Sequence, residues 1–250
     1  MLFTSSRTDR IGMQIYSILW TINYCEKNNH TYIHTPLEEK YEKLFNLGLN
    51  YKKLNEIDSK VINKGPSNSL QEIIKNKNFP DFSSEFREKI IEKYNITKKL
   101  SSDIFIKSKG VKICIHCRRG DTTTLSQNAH VIRYTPDSFL IKVFQKINEY
   151  FTKSSVSIHI YSDSIINMEN IEAYNFNYNF NIYTHFEDDI ITTFNDMISC
   201  DILFKYGVSA FSGICAIYNS NIVISDIDRE YENLYKFDNI YHFDDCDNIF

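Results

Sequence analysis

The chain has 250 residues, enough for one domain with a large core or for two small ones. Hydrophobic residues make up 42% and charged residues 24%, which excludes a disordered chain. Lys and Arg number 28 against 32 Asp and Glu, a formal net charge of -4; this argues against nucleic acid as a partner and requires any bound anion to be held by a local site.

In chain order, Ile11, Ile15, Ile18, Leu19 and Ile22 recur at helical spacing and predict an amphipathic helix over 11–26. A strand-like run follows at 31–34, then a helix at 38–47. From Tyr51 to about Lys99 the chain is polar, punctuated by Gly65-Pro66-Ser67, with a helix at 85–94; this stretch reads as an insertion or link. Val111 to Cys117 is β-prone, and 136–151 is a strong helix with Asp137 near its start. A strand at 156–161 ends in the turn Ser162-Asp163-Ser164. Helices at 189–200 and 211–218 alternate with strands at 201–204 and 221–225. Alternating strands and helices predict an α/β fold with a parallel sheet, whose ligands bind at the carboxyl ends of strands. Only 7 Gly are present, so each one marks a place where positive φ or a close approach is expected.

The six cysteines are irregularly spaced, several within apolar runs, and read as buried thiols in a reducing, cytoplasmic setting. No signal-peptide pattern is visible in MLFTSSRTDR, and the apolar stretch from Asp201 to Ile224 is too polar to cross a bilayer. Cys114 and Cys117 form a C-x-x-C, but no second ligand pair follows to complete a zinc site. Asp226-Ile227-Asp228 follows a strand, as a metal-binding D-x-D would; Asp226 and Asp228 are kept as an alternative site for a divalent cation on a diphosphate. Asp244, Asp245 and Asp247 read as a solvated tail, and Glu187-Asp188-Asp189 as a helix cap.

The run His116-Cys117-Arg118-Arg119-Gly120-Asp121 carries the sharpest chemistry. A strand delivers two arginines to a glycine turn, where a guanidinium can grip a phosphate with two parallel hydrogen bonds. The plain alternative is a surface turn with solvated charges. This run resembles the His-x-Arg-Arg-Gly-Asp motif of the α1,2-, α1,6- and protein O-fucosyltransferase superfamily. Three further segments agree in order: Asp9 to Gln14 with the glycine loop and first helix, Tyr161 to Ser164 with the Ser-Asp-Asp turn, and Phe194 to Asn219 with the Ser-Ser-Phe-Ser segment. Met13 and Ala210 depart from those motifs.

The resemblance implies a GT-B-like α/β fold of two Rossmann-like halves with parallel sheets and a nucleotide-sugar cleft. The N-terminal half, residues 1–105, would be reduced and face the acceptor; residues 106–250 would bind the donor. It implies an inverting glycosyltransferase that uses GDP-fucose, needs no metal or cofactor, and acts on a glycan or protein hydroxyl. Arg118 would contact the donor diphosphate. Arg119 would form a structural ion pair, with Asp121 the nearest carboxylate in sequence. Asp121 is also the provisional general base. Gly12, Gln14, His116, Arg119, Asp163, Ser209, Phe211 and Ser212 would line the donor nucleotide. From position alone, His130 and Arg133 lie in the loop that follows the arginine motif and would face the acceptor. A nucleotide- or glycan-binding relative without turnover stays open.

Overall fold

A computed structural model describes residues 1–5, 7–65, 81–94, 100–120, 134–151, 155–164, 180–186, 188–226 and 237–248. These form two compact units: residues up to 94 with Phe237, and residues from 100 onward without Phe237.

The first unit carries a parallel sheet of order β2-β1-β3, from β1 (Leu2–Thr4), β2 (Thr31–Tyr32) and β3 (Ile62–Lys64). Strand β3 comes from inside the stretch read as an insertion. Helix α1 (Ile11–Lys27) is buried on nearly every side, including Ser17, Thr21 and Asn23, so it is central where the apolar stripe predicts a helix at the surface. These three buried polar side chains are paired: Ser17 and Ser5 share a 2.7 Å hydrogen bond, the Thr21 hydroxyl donates to the Ser17 carbonyl at 2.8 Å, and the Asn23 amide donates to the Asp81 carbonyl at 3.2 Å. Helix α2 (Glu39–Phe45) and helix α3 (Ser84–Lys93) complete the unit's longer elements. Left-handed backbone falls on Asn29, Asn46 and Asn50 (φ 55, 50 and 69°), so asparagine supplies here what scarce glycine was expected to supply.

The second unit opens with the short helix α4 (Asp103–Lys107). Its strands are β4 (Val111–Cys117), β5 (Val156–Ser162), β6 (Phe180–Phe186), β7 (Ile202–Tyr206), β8 (Ile222–Asp226) and β9 (Ile240–His242). They form one parallel sheet in the order β6-β5-β4-β7-β8-β9. In sequence terms this is 3-2-1-4-5-6, the Rossmann order, and the direction of winding reverses between β4 and β7. Helices α5 (Asp137–Tyr150), α6 (Ile190–Ser199) and α7 (Ala210–Tyr218) accompany it.

Side chains alternate between the two faces. Ile113, Ile115 and Cys117 of β4, with Ile158, Ile160, Phe204 and Ile224, join Phe139, Leu140, Val143, Phe144 and Ile147 of α5 in one core. Phe243 and Cys246 enter the same core, so the acidic end around Asp244 and Asp245 is anchored where the sequence suggested a solvated tail. Cys114 lies on the opposite face, with its thiol donating to the Asp196 carbonyl at 3.7 Å. Asp189 caps α6, accepting from the Thr192 N–H at 3.0 Å.

Candidate functional site

The reversal between β4 and β7 leaves the segments after these strands as the natural ligand position. After β4 come Arg118, Arg119 and Gly120. After β7 come Gly207, Val208 and Ser209, then α7.

The arginine turn is built around Asp163, which follows the neighbouring strand β5. One Asp163 carboxylate oxygen accepts the backbone N–H groups of Arg119 (2.8 Å) and Gly120 (2.7 Å). The other receives the Arg118 guanidinium. A side chain at Gly120 would meet the Asp163 carboxyl at 2.9 Å, so glycine is required by close approach rather than by torsion. Thr135 ties the next segment down: its hydroxyl accepts from the Arg118 N–H at 2.9 Å, and its own N–H donates to the Arg118 carbonyl at 3.0 Å.

The two arginines are thereby separated. Arg119 pairs with Asp137 at the start of α5 (2.5 Å), donates to the Thr135 carbonyl (3.0 Å) and lies over the Tyr134 ring at 5.5 Å. The sequence named Asp121 as its nearest carboxylate; Asp137 takes that role among the described residues. Asp121, His130, Arg133 and Asp228 lie outside the described residues.

Across the reversal, Ser209 precedes the first turn of α7, and its carbonyl accepts from the Gly213 N–H at 2.9 Å. Phe211 is half-buried, its ring 5.7 Å from that of His116. Ser212 is fully buried, with its hydroxyl turned back to the Ser209 carbonyl at 3.4 Å. His116 ends the opposite face of β4, only 7% exposed. Burial pushes its imidazole down to about 4 against the pull of the Asp163 charge, so it is neutral at physiological pH. Its Nδ1 is buried with no hydrogen-bond partner among the described residues. His116, Arg118, Arg119, Asp163, Ser209, Phe211 and Ser212 thus belong to one end of one sheet. Gly12 and Gln14 belong to the first turn of α1 in the other unit, where the Gln14 amide donates to the Asp9 carbonyl.

Asp226 ends β8, half-buried, and burial holds its carboxyl above the usual range. Among the described residues no three His, Cys, Asp or Glu side chains gather as a metal-binding set, and no helix is long and apolar enough to cross a membrane.

One residue of this end was not singled out from sequence. Lys205 of β7 is fully buried, donating to the Gly207 carbonyl (3.2 Å) and the Ser225 hydroxyl (3.0 Å). Its only signal was a lone lysine inside the apolar run Ile202 to Val208.

No family model and no curated protein matches the sequence. The structure is similar to those of fucosyltransferases. POFUT1 in complex with GDP is 12% identical, with 97% of each chain covered and a TM-score of 0.57. POFUT1 in complex with GDP-fucose is 13% identical over 91% of this chain and 97% of that one, with a TM-score of 0.56. A variant of FUT1 from Arabidopsis thaliana in complex with GDP is 10% identical over 92% of this chain and 71% of that one, with a TM-score of 0.52. At such identities the likeness is one of fold: parallel-sheeted α/β and GT-B-like.

Proposed function

We propose that the chain is an inverting, metal-independent glycosyltransferase that moves fucose, or a related deoxyhexose, from its nucleotide-sugar donor, GDP-fucose in the case of fucose, to a glycan or protein hydroxyl. The observation that carries this reading is Arg118 at the sheet reversal, oriented by Asp163, with the start of α7 following the adjacent strand.

As the glycosidic bond breaks, the leaving diphosphate gains negative charge. A fixed guanidinium stabilises that charge where it develops, and exposed N–H groups at a helix start add to it. Asp163 pre-sets the guanidinium and the turn, which reduces the reorganisation needed in the transition state. The neutral His116 ring and Phe211 are suited to a nucleobase edge and face. Ser209 and Phe211 are proposed as donor contacts beside the diphosphate and nucleoside. Ser212 contributes through the shape of the α7 start, since its hydroxyl is turned inward. Gly12 and Gln14 are proposed donor contacts from the first turn of α1, and Asp121 is the proposed base. The unit containing α1 is assigned to the acceptor. POFUT1 structures hold GDP or GDP-fucose, which supports the choice of donor. Six free, buried cysteines support a reducing, cytoplasmic setting.

A second reading has its own observation. Asp163 already supplies the Arg118 guanidinium with a negative partner. A protein that binds a nucleotide without turning it over would be served by the same pair. The experiment that separates the two is GDP-fucose hydrolysis and transfer without added metal, beside calorimetric titration with GDP, UDP and dTDP. The first reading expects turnover and a preference for GDP. Nucleotide binding without turnover across a broad acceptor panel favours the second. Activity lost to EDTA and restored by Mn²⁺ would return attention to Asp226 and Asp228.

A further inference from the structure

We propose that Lys205 is a positioning residue for a nucleoside diphosphate: its ammonium holds the Gly207 carbonyl and the Ser225 hydroxyl, fixing the turn that starts α7 and placing a buried positive charge at the end of the sheet that receives the diphosphate. The proposal rests on the donor reading above and extends it to a residue that reading leaves unused.

The sheet itself singles out this layer. His116, Lys205 and Ser225 are cross-strand partners on β4, β7 and β8, in one row at the carboxyl ends. The next row inward on the same face is Cys114, Leu203 and Val223, which carries no charged group. Polar side chains therefore enter this face where a ligand would sit. Burying an ammonium is costly, and an apolar side chain of similar volume would suit a structural role better.

Lys205 grips the turn directly. Gly207 has a left-handed backbone (φ 56°), its carbonyl accepts from the lysine, and its N–H donates to the Asp226 carbonyl at 2.9 Å. Two residues later Ser209 opens α7. Beside it, the buried Nδ1 of His116, which has no hydrogen-bond partner among the described residues, is a second, independent sign that a ligand atom completes the layer.

The titratable groups around Lys205 set the consequence. Burial lowers its ammonium to about 7, while Asp226 on β8 opposes that shift. His116 on β4 is neutral, held down to about 4. Helix α7 carries no charged side chain, and Asp196 of α6 is engaged by Ser102 and Tyr161. An arriving diphosphate anion favours the protonated lysine, so binding near neutral pH is coupled to proton uptake.

The test is titration calorimetry of GDP and of inorganic pyrophosphate at about pH 8, in two buffers of different ionisation enthalpy, on wild type, Lys205→Met and Lys205→Arg. Wild type is expected to take up protons on binding. Lys205→Met is expected to bind about tenfold more weakly or worse, without that uptake. Lys205→Arg, whose guanidinium does not titrate, keeps affinity and loses the uptake. Wild-type affinity and uptake in Lys205→Met overturn the proposal. If Lys205→Met does not fold, wild-type uptake in Lys205→Arg overturns it equally. Lys205-dependent binding of pyrophosphate with no binding of any nucleoside diphosphate supports the role of Lys205 and overturns the donor reading. Binding of neither ligand by wild type overturns both.

Discussion

The Asp163 carboxylate occupies the space that a side chain at Gly120 would need, 2.9 Å from where its Cβ would lie. The same carboxylate accepts the N–H groups of Gly120 and Arg119, so the turn and the aspartate define each other. Gly120→Ala is expected to destabilise the protein by about 1–3 kcal/mol, the usual cost of overpacking. In urea denaturation the double variant Gly120→Ala/Asp163→Ala should lose less than the sum of the singles, because Asp163→Ala removes the carboxyl part of the obstacle and leaves only the Asp163 carbonyl oxygen at 3.0 Å. Strict additivity would show that the approach is relieved in some other way.

Arg118 and Arg119 are adjacent but should respond differently. Arg119 is tied to Asp137, the Thr135 carbonyl and the Tyr134 ring, all structural partners. Arg119→Ala is expected to lower the melting temperature by several degrees, with binding falling as the fold loosens. Arg118→Lys should keep the fold and rescue turnover poorly, because an ammonium cannot reproduce a two-pronged contact. Melting curves recorded beside nucleotide titrations separate the two roles. A larger stability loss for Arg118→Ala than for Arg119→Ala would reverse the assignment.

Two buried bases make stability depend on pH in a defined direction. Lys205 has its folded value lowered to about 7, and His116 to about 4, both by burial. The unfolded values are about 10.4 and about 6.5. Between each pair of values the unfolded chain holds more protons than the folded one, so stability rises with pH across that interval. The His116 contribution is lost as pH falls from about 6.5 to about 4. The Lys205 contribution grows as pH rises from about 7 to about 10.4. Lys205→Met should flatten the alkaline rise in guanidinium denaturation, and His116→Gln should reduce the acid fall. An unchanged alkaline slope in Lys205→Met would mean that the lysine titrates normally.

All six cysteines are buried and free, and burial pushes the Cys117 thiol up to about 12. In the native protein they should react with a thiol reagent only through opening, and become rapid in denaturant. Fast labelling of a native thiol would contradict the burial.

Much of the second unit was legible in sequence because its strands are buried on both faces. Val111 to Cys117 and Val156 to Ser162 are short apolar runs with little else to become. Strand β6 was missed. Phe180 and Ile182 face the core while Asn181 and Tyr183 face away, but the Asn and Tyr that precede it in sequence blur the alternation. Strands β1 and β3 are three residues each, too short to show a period. At the candidate site, the arginine motif singled out Arg118, Arg119 and Gly120, and the turn after Tyr161 singled out Asp163. It could not pair Arg119 with Asp137 across 18 residues, because that contact depends on where α5 begins. Lys205 was hidden for a related reason. A lysine in an apolar run reads as a break in hydrophobicity until the sheet order places it between His116 and Ser225.

The most direct test of the central claim is the rate of GDP release from GDP-fucose, without added metal, by wild type and Arg118→Ala. A charge-assisted contact to the leaving diphosphate is worth about 3 kcal/mol in the transition state. Wild type should turn over, and Arg118→Ala should be slower by about a hundredfold or more while melting as a folded protein. No turnover by wild type, or near-wild-type turnover by Arg118→Ala, would contradict the account.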